Sequence, residues 1–209
     1  MKRKQEVEAK GLKLCGVESI NVHEDIKIGL PTRDKLIEDY CKSLEAVGKA
    51  GIHLVCYNFM PVFDWTRTDL AMPLEDGSTA LAYDSSIIDG IDASEMFDRI
   101  EKASGGFVMP GWEPNRRDEI MDLFDKYKDV TADKLRENFK YFLDGIMPTC
   151  EKYQIKMAVH PDDPALDVFG LPRIVTCEDD LLKIASLNSS IYNGFTSVSY
   201  THLRAHETL

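Results

Sequence analysis

The sequence predicts an α/β fold built on a parallel sheet. Two observations carry that prediction. Short, largely apolar runs of strand length stand at residues 11 to 20, 51 to 60 and 155 to 160, as expected for strands covered on both faces. Between them lie longer stretches whose apolar residues recur at helical spacing. Repeating β-α units imply parallel strands, arranged either as a barrel or as a doubly wound sheet.

The elements follow in order. "GLKLCGVESI" (11 to 20) is the first strand. "PTRDKLIEDYCKSLEAVGKAG" then places Leu36, Tyr40, Leu44 and Val47 on one helical face, with Thr32 as the candidate N-cap and Gly51 as the stop. "GIHLVCYNFM" (51 to 60) is the second strand, which completes a β-α-β unit. A long excursion from Pro61 to about Gly111 replaces the short loop expected there. Excursions of this length that leave a strand's C-terminal end are usually binding loops, so this one is expected to cover the active face. "TADKLRENFKYFLDGIMPTCEKYQ" repeats the helical pattern with Leu135, Phe139, Phe142, Ile146 and Tyr153, and Pro148 is expected to kink it. The third strand is "IKMAVH" (155 to 160). Thr176 is the candidate cap of the helix through "CEDDLLKIASL", and "NGFTSV" (193 to 198) starts a fourth strand.

Composition narrows the function. At 209 residues, with 44% hydrophobic and 29% charged residues, the chain is long enough for one domain with a sizeable core. A formal net charge of −11 repels phosphate backbones and anionic headgroups, which argues against nucleic acid or membrane surfaces as partners. The opening "MKRKQEVEAKG" has no apolar run behind it, and no run is long enough to span a bilayer, so a cytoplasmic setting is expected. The five cysteines, Cys15, Cys41, Cys56, Cys150 and Cys177, are widely spaced with no CxxC pair and read as reduced core residues.

The stretch with most chemistry in it is "KMAVHPDDP" (156 to 164). A strand ends on His160 and passes into two aspartates held between Pro161 and Pro164, which lack backbone donors and fix φ. A stiff turn of this kind suits a metal ligand or a base. His160 is equally well read from its residue type as a hydrogen-bonded structural group, because one ligand does not define a metal site. Asp162 or Asp163 would orient His160 or bind a hydroxyl. His23 follows the first strand and Asn58 stands near the end of the second, where each would face the mouth formed by the strands' C-terminal ends, although His23 could equally cap a loop. His53, near the second strand's beginning, lies toward the opposite face. Arg67 has the planar donor fork that suits a carboxylate, and Lys27, Arg33 and Arg173 are further cations that could bind one; alternatively Arg67 pairs with Asp64 or Asp69, Trp65 packs, and "EDGST" is a turn. "EDD" at 178 to 180 reads as the charged start of a helix.

Four motifs together carry a resemblance: "ESINVHEDIKIGLPTRD" (18 to 34), "GIHLVCYNFMPVFDWTRTDL" (51 to 70), "DGSTALAYD" (76 to 84) and "KMAVHPDDPALDVFGLPRIV" (156 to 175). The chain, to about Phe195, resembles the mannonate dehydratase family. That resemblance implies a (β/α)8 TIM barrel related to the xylose isomerase-like sugar enzymes, with about half of its strands in this chain. It implies a divalent cofactor, Mn2+ or Fe2+, with His160 in the place of a metal-ligating histidine. It also implies dehydration of D-mannonate to 2-keto-3-deoxy-D-gluconate and water. The expected substrate contacts are His23, Asn58, Arg67 and Asp162, and the complete enzyme is expected to be a homo-oligomer. The family's further ligands, a cysteine, a histidine and an aspartate, and its acid/base residues are expected downstream of Phe195. Residues 1 to 196 are thus read as a partial barrel domain. The segment 197 to 209, "SVSYTHLRAHETL", resembles translated sequencing-library adapter and is read as a non-native tail, so His202 and His206 are not counted as ligands. Two other functions fit less well: a metal-dependent sugar isomerase or epimerase of the same fold, and a non-catalytic sugar-acid-binding module.

Overall fold

The computed structural model describes residues 2–88, 95, 97–98 and 113–198. Most of the second half of the excursion, and the tail from 199 with His202 and His206, lie outside the described residues. A short helix α1 (Lys2–Glu8) leads to β1 (Val17–Glu18), then to helices α2 (Glu24–Ile28) and α3 (Arg33–Lys49) and to strand β2 (Leu54–Tyr57). The excursion contains β3 (Asp69–Pro73), β4 (Thr79–Ala82) and α4 (Ser85–Ile88). After it come α5 (Arg117–Tyr127), α6 (Ala132–Tyr153), β5 (Lys156–Val159), α7 (Glu178–Leu187) and β6 (Asn193–Phe195).

Four strands form one sheet in the order β1-β2-β5-β6, and every neighbouring pair is parallel. The spatial order is the chain order. A doubly wound sheet reverses direction at a switch point, whereas a barrel adds each strand beside the last, so the described part has the progression of an open arc of barrel. Strands β3 and β4 form a separate antiparallel hairpin. Its tip is the expected turn: Gly77 takes φ +82°, Leu74 N–H donates to Ser78 O at 2.9 Å, and Asp76 accepts from the Ser78 amide and hydroxyl.

Burial alternates along β2, whereas in β5 Met157, Ala158 and Val159 are all buried. Val55 and Tyr57 of β2 and Met157 and Val159 of β5 share a face and are buried beneath α3 and α6. Helix α3 contributes Ile37, Tyr40 and Leu44 to that core, and α6 contributes Leu135, Phe139, Phe142 and Ile146. Tyr40 meets Phe142 edge-on at 5.0 Å, and Phe59 stacks on Phe139 at 4.5 Å. On the opposite face Leu54 is 42% exposed and Cys56 half-buried. The expectation of strands covered on both faces therefore holds fully on the helix side only; on the other face Ala158 is buried but Leu54 and Cys56 are not.

Several local expectations need correction. Only Val17 and Glu18 of the first apolar run pair as strand. Thr32 precedes α3 but makes no side-chain cap; its hydroxyl donates to Asp25 instead, at 2.6 Å. Helix α6 is capped by Thr131, a cap the sequence reading did not name, which accepts from Lys134 N–H at 3.2 Å, and the helix continues through Pro148. Cys177, not Thr176, is the N-cap residue of α7; the Thr176 hydroxyl donates to Asp180 at 2.7 Å. All five cysteines are free, but Cys15 and Cys177 are exposed and only Cys150 is buried. Among the described residues no helix is long and apolar enough to cross a membrane.

Candidate active site

The three parallel strands β1, β2 and β5 end together, and the residues at or just past their C-terminal ends face one cavity of about 400 Å3. Glu18 and Ser19 come from β1, Asn58 from β2 and His160 from β5. Met60 follows β2, the excursion supplies Asp64, Trp65, Arg67 and, from the hairpin, Leu81, and the turn after β5 adds Asp163. The C-terminal mouth of a parallel sheet is where α/β enzymes bind ligands, because loops there can vary without disturbing the sheet. The excursion covers this face, as its position in the sequence predicts.

His160 is held tightly. Its N–H donates to Tyr57 O at 2.6 Å, which fixes the strand end, and its Nδ1 lies 2.7 Å from Pro161 O. A carbonyl can only accept, so Nδ1 carries the proton and the lone pair of the neutral ring is on Nε2. Orientation of one ring nitrogen by a backbone carbonyl is the usual way a ligating imidazole is presented. Asn58 accepts from Met60 N–H through Oδ1 at 3.2 Å, so its Nδ2 donors have no protein partner among the described residues.

Arg67 pairs with neither Asp64 nor Asp69. Its two terminal nitrogens donate to the two oxygens of Asp163 at 2.9 and 2.8 Å, and its guanidinium lies 5.4 Å from the Trp65 ring. Asp162 stands away from the cavity. It is 1% exposed, and one carboxylate oxygen accepts from the Ile174 and Val175 amides at 2.7 Å each. Burial pushes the Asp162 carboxyl above its ordinary range, while the Arg173 charge and the two amides pull against that rise. Asp163 takes the cavity position instead. His23 also stands outside it: its Nδ1 accepts from Asp25 N–H at 3.1 Å and caps α2, the alternative its sequence position left open.

Beside the first cavity is a second of about 250 Å3, sharing Asn58 and Asp64 with it and lined also by Glu24, Lys27 and Val62. Glu24 organises this region. It accepts from Lys27 at 2.6 Å, from the Tyr127 hydroxyl at 2.6 Å and from Val62 N–H at 3.1 Å, and Lys27 in turn donates to Met60 O at 2.7 Å. The bond to Val62 matters because that β-branched residue is held at φ +62°, a conformation that needs support from its surroundings. Lys27 is thereby a structural cation, 4% exposed. Sequence reasoning passed over Glu18 and the Glu24 network. Glu18 carries a signal in its position at the end of an apolar run, but the Glu24 network joins residues 103 apart and leaves none.

The cavity lining holds the carboxylates Glu18, Asp64 and Asp163 against Arg67, which Asp163 already neutralises. It is therefore a place that attracts cations. No three His, Cys, Asp or Glu side chains among the described residues converge closely enough to hold a metal ion. The described residues thus supply one well-presented nitrogen donor and a favourable field, not a complete coordination sphere.

Comparison with known proteins agrees with this placement. The sequence model of the D-mannonate dehydratase (UxuA) family matches residues 1–206. The chain is 60% identical over 193 residues to a mannonate dehydratase from Brachyspira hyodysenteriae, covering 92% of this chain and 54% of that protein. It is 50% identical over 196 residues to one from Thermotoga neapolitana, covering 94% and 54%. Against the crystal structure of mannonate dehydratase from Streptococcus suis serotype2 the TM-score is 0.79 at 44% identity, over 92% of this chain and 49% of that one. The chain spans about half the length of the curated relatives it matches.

Proposed function

Because the chain belongs to the D-mannonate dehydratase family, we propose that the full-length enzyme containing it removes water from D-mannonate in the cytoplasm, giving 2-keto-3-deoxy-D-gluconate. The observation that carries this reading is the convergence of Glu18, Asn58 and His160 from three successive strand ends on one negatively charged cavity. A sugar acid is itself an anion, so it enters such a cavity only with a cation between its carboxylate and the wall. His160 Nε2 would supply one donor to that ion, Mn2+ or Fe2+, with the remaining donors outside the described residues. When bound there, a divalent ion supplies stabilisation of the negative charge that builds on the substrate carboxylate as the C2 proton leaves.

The chain's own residues bind and orient. Asn58 Nδ2 offers donors to a sugar hydroxyl, and Arg67, its charge balanced by Asp163, offers its unfilled Nε–H and Nη2–H at the rim. His23, exposed at the start of α2, would reach the substrate only from outside the cavity. Trp65 and Leu81 give the mouth an apolar side that sheds water from the reacting carbons. Incubating the full-length enzyme with D-mannonate and Mn2+ and measuring the 2-keto-3-deoxy product tests the reading. Formation of an isomeric sugar acid with no loss of water, or no reaction, would overturn it.

A further inference from the structure

The excursion after β2 and the turn after β5 are far apart in the chain but joined at the cavity rim by the pair Arg67 and Asp163, 96 residues apart. Both side chains are largely buried, 13% and 11% exposed. The backbone doubles the joint. Thr66 N–H donates to Asp163 O at 3.2 Å, and Trp65 and Asp163 form a parallel bridge. Arg67 Nη1 also donates to Thr66 O at 2.8 Å, which fixes the guanidinium against its own loop.

Asp163 takes the end-on fork of the guanidinium and Thr66 O takes the second Nη1–H, so a second carboxylate could bind end-on only by releasing Asp163, while Nε–H and the other Nη2–H stay unfilled. Release would leave a largely buried aspartate without its partner, which is costly. Asp163 is also poorly able to follow a moving arginine, since it lies in a turn stiffened by Pro161 and Pro164. We propose that Asp163 is a positioning residue: it fixes Arg67 and so pins residues 64 to 67 at the rim, leaving Arg67 to meet an anionic ligand through its side-on edge, Nε–H and the second Nη2–H. The end-on fork is thereby taken by a clamp within the protein, and only the side-on edge of Arg67 is left for substrate. The ligand half of this proposal rests on the dehydratase reading above; the pinning half does not.

Two variants of the full-length enzyme test it, Asp163→Asn and the charge swap Arg67→Asp with Asp163→Arg. In Asp163→Asn, amide hydrogen exchange across residues 64 to 68 should quicken by about tenfold or more, as local opening becomes easier. Its KM for D-mannonate should rise about tenfold while kcat stays within about twofold, the pattern of lost binding and not lost chemistry. The charge swap re-forms the pair, so it should restore slow exchange but leave KM raised, because the cation has moved to the other segment. Parent-like exchange in Asp163→Asn, or a parent-like KM in the swap, would refute the proposal. A parent enzyme that fails to turn over D-mannonate would refute the dehydratase reading alone, and the exchange measurement would still decide whether Asp163 pins the rim.

Discussion

At Asp180 one side chain gathers several elements. Its carboxylate accepts from Arg136 of α6 at 2.9 Å, from the Thr176 hydroxyl at 2.7 Å and from Lys183 at 3.2 Å, and the residue is 5% exposed. Burial pushes its carboxyl up, but the Thr176 and Lys183 hydrogen bonds and the Arg136 charge outweigh that and hold it below the ordinary value. A folded-state value below the unfolded one means that the ionised group stabilises the fold above the unfolded pKa of about 4, and that this contribution fades as pH falls through the folded value. Asp180→Asn should therefore lower stability at pH 7 by about 2 kcal/mol and flatten the acid side of the stability profile. Urea unfolding at pH 7 and at pH 3 measures both effects, and equal losses at the two pH values would assign the cost to packing. The sequence marked 178 to 180 as a charged helix start, and that reading stands; the link from Asp180 to Arg136 crosses 44 residues and could not be read from it.

At the scale of elements, the packing of α3 on α6 depends on two glycines. A Cβ on Gly48 would stand 2.6 Å from Tyr153 Cβ, and one on Gly145 would stand 2.8 Å from Ile37 Cγ2. The helices approach too closely for either addition without a shift. Gly145→Ala gains helix propensity of roughly 1 kcal/mol but must push Ile37 within a filled core, an overpacking cost of about 1–3 kcal/mol. A lower melting temperature is expected, and a rise would show that Ile37 can rotate away. These two helices were legible because their apolar positions recur at 3.6 residues over four or more turns. Strands β2 and β5 were legible as short apolar runs of strand length, bounded by Gly51 before the one and Pro161 after the other. Helix α2 was not, since five residues are too few to show a period, although the αL Gly29 after it is a stop signal. The hairpin β3–β4 was seen only at its turn, because its strands bury little and so carry no alternation. In the site, His160 and Asn58 were legible as strand-end residues. The exchange of roles between Asp162 and Asp163 was not, because neighbours in an irregular turn follow no period that assigns one inward and the other outward.

For the molecule as a whole, the strand order explains both the site and the open face. Parallel strands added in chain order bring Glu18, Asn58 and His160 to one end, while the face bearing Leu54 and Cys56 is left only partly covered by the described residues. In a closed barrel that face is the interior, packed by side chains from alternate strands. The half-length match to the relatives agrees with this geometry: the chain holds one wall of the cavity and one strong donor toward it. The central claim is that His160 presents Nε2 to a divalent ion at this cavity. It is tested most directly by His160→Ala in the full-length enzyme, measuring bound Mn2+ or Fe2+ by elemental analysis beside the far-ultraviolet circular dichroism of the same sample. Metal content reduced about tenfold or more, no measurable dehydration of D-mannonate and an unchanged fold are expected, since the side chain is half-exposed and its backbone bond to Tyr57 remains. A full complement of metal with normal turnover would contradict it.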